Sequence, residues 1–251
     1  MNPLVTPFFH APTGTWTYVV SDPASREAAV IDPVLDYDWR SGRTGTASAG
    51  QVLSHLEEAG LRLRWILETH AHADHLSSAP HIKARAGGEV AIGAGIRQVQ
   101  ATFKRIFGLG EEFVPDGRQF DRLLADGERI ALGGIEGEVI ATPGHTNDSV
   151  SYLFGDALFV GDTVFMPDGG TARCDFPGGD AAELYRSVQR LYALPAETRV
   201  FVCHDYAPGG RPVACETTIA AQRAGNMHLK ADTPEAEYVA MRRARDATLD
   251  V

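Results

Sequence analysis

The stretch Thr69-His70-Ala71-His72-Ala73-Asp74-His75 places three imidazoles and a carboxylate within six residues. It follows the apolar run Leu63 to Thr69, which reads as a buried strand, so the cluster falls on a loop at a strand end. Imidazole nitrogens and carboxylate oxygens this crowded are metal donors. His-x-His on a loop can offer both rings to one side, while Asp74 and His75 turn toward a neighbouring site. The fold must bring other donors to this loop.

They recur at strand ends. Pro143-Gly144-His145-Thr146 follows a strand over 135–142, and Gly144 leaves room for a close backbone approach. Gly161-Asp162 ends a strand over 157–160, and His204-Asp205-Tyr206 ends one over 200–203. Alone, each would read as a structural loop residue; together they supply what the first cluster lacks. His10, His55, His81 and His228 have no such setting and read as non-ligands. Cys203 precedes His204 on a strand, so alternation points it to the opposite face and into the core. Cys174 and Cys215 read as small apolar residues rather than catalytic thiols.

Between these motifs, strand and helix signals alternate. Trp16 to Val20 and Glu27 to Ile31 are short β-rich runs around the turn Ser21-Asp22-Pro23. Residues 33–47 read as loop. Val52, Leu53, Leu56 and Ala59 have helical spacing closed by Gly60, and Ser77-Ser78-Ala79-Pro80 reads as a helix start. Ile96, Val99, Phe103, Ile106 and Phe107 mark one helix face, stopped by Gly108. Glu128 to Leu132, Ile135 to Thr142, Val150 to Phe154 and Leu158 to Val160 are strands joined by Gly/Asp turns. A Gly/Pro-rich loop from Met166 to Gly179 precedes a helix carrying Leu184, Tyr185, Val188 and Leu191. From Thr233-Pro234 the tail reads as an amphipathic helix. Two successive sets of strands followed by helices predict a layered α/β sandwich with mostly antiparallel sheets. No glycine-rich nucleotide fingerprint occurs.

Composition narrows the function. With 23 Lys+Arg against 33 Asp+Glu the 251 residues carry a net charge of −10, which argues against nucleic-acid and anionic-membrane partners. The 44% apolar and 22% charged fractions are those of a globular protein. No Lys or Arg precedes Arg26 and no apolar run approaches the ~18 residues of a membrane span. Three cysteines cannot all pair within the chain, the usage of a reducing compartment, so a cytoplasmic location is expected.

The order His70-x-His72-x-Asp74-His75, then His145, Asp162 and His204, resembles the metallo-β-lactamase superfamily. The flanks resemble its persulfide (sulfur) dioxygenases, including their bacterial β-lactamase-like branch: Ser25 to Val34, Thr69 to Leu76, Pro143 to Thr146, Gly161-Asp162-Thr163, Arg173-Cys174-Asp175-Phe176 and His204-Asp205-Tyr206. These stretches span residues 25–206. The sequence departs from many relatives at Thr146-Asn147-Asp148-Ser149, where they read Thr-Pro-Gly.

The resemblance implies an αββα sandwich with the metal site at one edge of the paired sheets, here expected as one domain over 1–251 with a helical C-terminal segment from about 212. It implies one Fe(II) per chain on His70, His145 and Asp162, a facial triad with open positions. His72, Asp74, His75 and His204 would then orient these ligands or hold a second metal. The dinuclear hydrolases of the superfamily use His70, His72 and His145 for one ion and Asp74, His75 and His204 for the other, bridged by Asp162; this chain retains all seven. The implied reaction oxidises glutathione persulfide or a similar persulfide with O2 to sulfite and thiol. Arg173 is the candidate for holding an anionic substrate group, against an ion pair with Asp175, and Tyr206 is a candidate proton donor. The rivals are a Zn(II)-dependent thioester (glyoxalase II-like) or lactone hydrolase and a non-catalytic metal or thiol sensor. Small-molecule reactants are the expected partners, and a homodimer fits the reading.

Overall fold

The computed structural model describes residues 2–249. Its elements in chain order are β1 (Leu4–His10), β2 (Thr15–Ser21), β3 (Glu27–Ile31), β4 (Val34–Asp38), β5 (Arg43–Gly45), α1 (Ala47–Glu58), β6 (Arg62–Leu67), β7 (Leu76–Ser77), α2 (Ala79–Ala86) and β8 (Glu89–Gly93). There follow α3 (Ile96–Phe107), β9 (Arg122–Leu124), β10 (Arg129–Leu132), β11 (Ile135–Ala141), β12 (Val150–Phe154), β13 (Ala157–Phe159), α4 (Ala181–Tyr192), β14 (Arg199–Phe201), β15 (Glu216–Thr218), α5 (Ile219–Gly225) and α6 (Glu235–Asp246). None of these helices is long and apolar enough to cross a membrane.

Two six-stranded sheets, β1-β2-β3-β6-β8-β9 and β10-β11-β12-β13-β14-β15, pack face to face. Strand alternation explains the layering. On β2 and β3, Tyr18, Val20, Ala29 and Ile31 point into the core shared with Ile130, Val139, Tyr152 and Phe154 of the second sheet. Val19, Ala28 and Val30 point the other way, onto Val52 and Leu56 of α1 and Ile82 of α2. Leu184, Val188 and Leu191 of α4 close the far side of the second sheet. The result is an αββα sandwich, with β2 buried along its whole length because both its faces are covered.

Pairing departs from the expected pattern in the first sheet. There β3, β6, β8 and β9 run parallel, while the second sheet is antiparallel except for β13 against β14. Residues 33–47 are not loop: β4 pairs with β5 and β7 in a small third sheet. Their hairpin is closed by Asp38, whose carboxylate accepts from the Arg40 N–H at 2.9 Å and the Ser41 hydroxyl at 2.9 Å. Strand β5 is exposed throughout and β4 fully buries only Val34, so neither carries a hydrophobic alternation to announce it.

The donor residues follow the ends of β6, β11, β13 and β14. Asp32, just after β3, joins them at the same edge, where its backbone N–H donates to the Leu67 carbonyl at 2.9 Å.

Candidate metal centre

Two donor groups face each other at this edge. His70, His145 and Asp162 are buried, and their donor atoms all lie within 4.8 Å of one another. Hydrogen bonds fix both imidazoles. His145 Nδ1 donates to the Arg173 carbonyl at 2.7 Å, which leaves Nε2 bare and 3.7 Å from Asp162 Oδ2. The Thr69 hydroxyl donates to Asp32 Oδ2 at 2.9 Å, so its oxygen accepts from His70 Nδ1 at 3.0 Å. That assigns the His70 proton to Nδ1 and frees Nε2 for an ion. Burial and then the neighbouring imidazoles push the His70 pKa well below its ordinary value, keeping the ring neutral.

The second group is His72, Asp74, His75 and His204, again with donor atoms within 4.8 Å. His75 Nδ1 lies 3.1 Å from Asp74 Oδ2. His204 Nε2 lies 3.5 Å from Asp74 Oδ2 and 3.4 Å from Asp162 Oδ1, so Asp162 stands between the groups. Burial works against the Asp74 carboxylate, but the His75 hydrogen bond and the charge of His204 outweigh it and hold its pKa well below the usual range.

His72 Nδ1, His75 Nε2, His204 Nε2 and Asp162 Oδ1 are all buried without a hydrogen-bond partner. One such orphan costs about 1–3 kcal/mol. Four of them converging from three loops are relieved together by a cation, so the donor set fits a metal ion at either group. His72 does not join His70 and His145, as it would in the dinuclear hydrolase arrangement. Its Nε2 donates to Asp32 Oδ1 at 3.1 Å and lies 3.5 Å from Glu68 Oε2.

Asp32, Glu68 and Thr69 are functional residues that the motif reading did not single out. Asp32 takes a left-handed φ of 49°, unusual outside glycine. The conformation aims its carboxylate at the Thr69 N–H (2.7 Å), the Thr69 hydroxyl and His72. Its place in Ile31-Asp32-Pro33, a stretch matching the family, was the available signal; Glu68, inside a strand-like run, had none. Cys203 corrects an expectation. It is buried, but its sulfur gathers with the Asp162 and His204 donors instead of facing away. Strand alternation stops at Phe201, the last residue of β14, and no longer governs position 203.

A cavity of about 600 Å³ opens over the site, lined by Asp74, His145, Asp162, His204, Phe165 and Phe176 among others. Arg173 reaches its wall, paired with Asp175 through two hydrogen bonds of 2.6 Å and lying 5.1 Å from the Phe176 ring centre. Tyr206 stands exposed on the rim, its ring stacked on His204 at 5.7 Å.

Comparison with known proteins agrees with this arrangement. Residues 10–204 match the family model of the metallo-beta-lactamase superfamily. The chain belongs to that superfamily. Among its members, a probable metallo-hydrolase of Burkholderia pseudomallei is 50% identical, covering 97% of this chain and 86% of that protein. A beta-lactamase hydrolase-like protein of Xylella fastidiosa is 48% identical over 99% of this chain but only 57% of its own length, so the chain spans little more than half of that relative. Glyoxylase B2 of Dictyostelium discoideum is 46% identical, covering 94% of this chain and 82% of that protein. The human mitochondrial persulfide dioxygenase ETHE1 is 31% identical, covering 81% of this chain and 68% of that one. The crystal structure of ETHE1 from Myxococcus xanthus superposes with a TM-score of 0.76 at 29% identity, covering 98% of this chain and 92% of that one. The superfamily fold and a His/Asp metal-binding site are therefore both present.

Proposed function

We propose that this metallo-beta-lactamase superfamily member is an Fe(II)-dependent dioxygenase acting on glutathione persulfide or a similar small persulfide, with O2 as co-substrate and sulfite and thiol as products. The observation that carries the reading is the three-membered group His70, His145 and Asp162, two neutral nitrogens and one carboxylate with His72 turned elsewhere. A bound Fe(II) would supply redox activation of dioxygen beside the sulfur atom, for which a two-His, one-carboxylate set leaves open positions. Around it, Arg173 would hold the anionic end of the substrate against the apolar face of Phe176, and Tyr206 would donate a proton from the rim. The similarity to ETHE1 over most of the chain supports the same assignment.

A second reading rests on the four-membered group. His72, Asp74, His75 and His204 could hold a further ion, and a Zn(II) hydrolase of thioesters or lactones would fit that donor set and the hydrolase names of several relatives. Metal analysis combined with oxygen uptake on glutathione persulfide separates the two. The dioxygenase reading expects about one iron per chain and persulfide-dependent oxygen consumption. Zinc at two per chain with thioester hydrolysis and no oxygen uptake would overturn it. Asp74 belongs only to the second group, so Asp74→Ala should keep nearly all the iron of a mononuclear site, whereas a dinuclear site would lose about half its metal.

A further inference from the structure

We propose that Asp148 locks the loop carrying His70 and His72 to the loop carrying His145, and so sets the spacing of the buried donors. Asp148 is only 1% exposed, and its Oδ2 accepts the Ala71 N–H at 2.8 Å. Ala71 lies between His70 and His72, one from each donor group, whose ring centres stand 4.1 Å apart. A second tie lies beside the first: the Val150 N–H donates to the Thr69 carbonyl at 2.9 Å. His70 is thus held on both sides, at positions 69 and 71, by one segment that begins three residues after His145. Both bonds have a backbone N–H as donor, so neither depends on where an imidazole carries its proton.

The corner between β8 and α3 gives Asp148 a fixed seat. A Cβ on Gly93 would stand 2.5 Å from the Asp148 carbonyl oxygen, and one on Gly95 would stand 2.8 Å from Asp148 Cα. The corner therefore meets the loop backbone where no side chain fits. The same corner supports Ala71, which packs on the cluster of Ile92, Ile96 and Val99. Asp148 and Ala71 rest on a common base, and the hydrogen bond between them removes the freedom that the 70–72 backbone would otherwise keep about the Thr69 tie. Orientation of ligands by such outer contacts is what tunes a metal site.

What the site uses is the acceptor rather than the charge. Burial pushes the Asp148 pKa above its ordinary value, and Oδ1 has no hydrogen-bond partner. An amide at this position would keep one acceptor for Ala71 and place its nitrogen where Oδ1 now makes no bond. Asp148 belongs to neither donor group and acts through Ala71, so it is a positioning residue. The inference rests on the metal-binding site and not on the reaction proposed above.

The full-length chain, stripped of metal by a chelator, is titrated with Co2+. Its visible absorption bands report the arrangement of ligands, and its affinity is read by competition with a chromophoric chelator. Asp148→Ala should bind Co2+ about 10–100-fold more weakly, with altered bands, while Asp148→Asn keeps the wild-type affinity and bands. Ser149→Ala removes the 2.6 Å bond between the Thr146 and Ser149 hydroxyls in the same loop and should leave both unchanged. Circular dichroism and urea unfolding establish that each variant is folded. Amide hydrogen exchange of the metal-stripped wild type checks the bond itself. Ala71 should exchange far more slowly than Ala73, whose N–H has no acceptor among the described residues. This measurement and Asp148→Asn decide the outcome if Asp148→Ala does not fold. A folded Asp148→Ala with wild-type affinity and bands would overturn the proposal. So would an equal loss in Asp148→Asn or Ser149→Ala, or an Ala71 amide that exchanges as fast as that of Ala73.

Discussion

The Arg173 carbonyl accepts the His145 proton while its guanidinium lies on the cavity wall against Asp175 and Phe176. Backbone and side chain can therefore be separated by substitution. Arg173→Ala keeps the carbonyl, so His145 stays oriented and the metal content should equal that of wild type. If the guanidinium holds an anionic substrate, KM should rise by about 10–100-fold, the loss of one charge-assisted hydrogen bond of about 1.5–3 kcal/mol. Lysine should recover only part of it, because an ammonium lacks the planar fork. An unchanged KM would leave Arg173 a structural residue that pairs with Asp175. At this scale the seven donor residues were legible because each carries its chemistry in its type and sits beside a turn. Asp32 and Glu68 were less so: Asp32 reaches His72 from the end of a different strand, and Glu68, four residues before His72, lies in a strand-like run where no ligand motif marks it.

The loop that carries His145 is set by the helix behind it. Gly144 has φ +138°, and a Cβ there would stand 2.3 Å from the Leu184 backbone nitrogen in α4. Gly144→Ala should cost about 1–3 kcal/mol for the strained backbone and about 1–3 kcal/mol for the overlap. It should also displace His145 and strip metal from the protein. The helix start offers a control. Asp180 caps α4 by accepting from Ala182 N–H at 2.8 Å and Glu183 N–H at 2.9 Å. Asp180→Ala should cost only about 1 kcal/mol and leave the metal in place. Urea unfolding and metal analysis of the two variants check the contrast; equal metal loss in both would mean that α4 as a whole, not the Gly144 contact, places the ligand. The elements that sequence reading located best were those with one wet and one dry face, such as α4 with Leu184, Val188 and Leu191 buried, or strands bounded by Gly and Asp turns. On α3 the expected face is buried only at Ile96 and Val99, while Ile106 and Phe107 are exposed. Short edge strands such as β5 and β15 gain their order from a neighbour, which periodicity does not report.

Across the whole molecule, burial of imidazoles makes the metal-free fold sensitive to acid. His228, on the cavity wall, has its pKa pushed from 6.5 down to about 4, first by burial and then by Arg242 and Arg245 of α6; Asp246 opposes them more weakly. Its Nδ1 accepts the Thr171 N–H at 2.9 Å, a bond that only the unprotonated nitrogen can make. In the unfolded chain the same ring takes a proton near pH 6.5. Between 6.5 and about 4 the unfolded state therefore binds the proton that the folded state refuses. The contribution is whole above 6.5 and is lost as pH falls through that window. His70 and His75 shift in the same direction, with burial the leading cause for each. His72 runs the other way: burial opposes its charge, but Asp32 and Glu68 outweigh it and raise its pKa, so its contribution is whole below 6.5 and fades as pH rises through its folded value. His228 is the residue to substitute, because it belongs to neither donor group. The metal-stripped chain should unfold at progressively lower urea as pH is taken from 7 to 4.5. His228→Gln, which cannot take up the proton, should lose less over the same range. Parallel pH profiles for wild type and His228→Gln would place the acid sensitivity in the donor groups and not in the packing of α6 over the cavity.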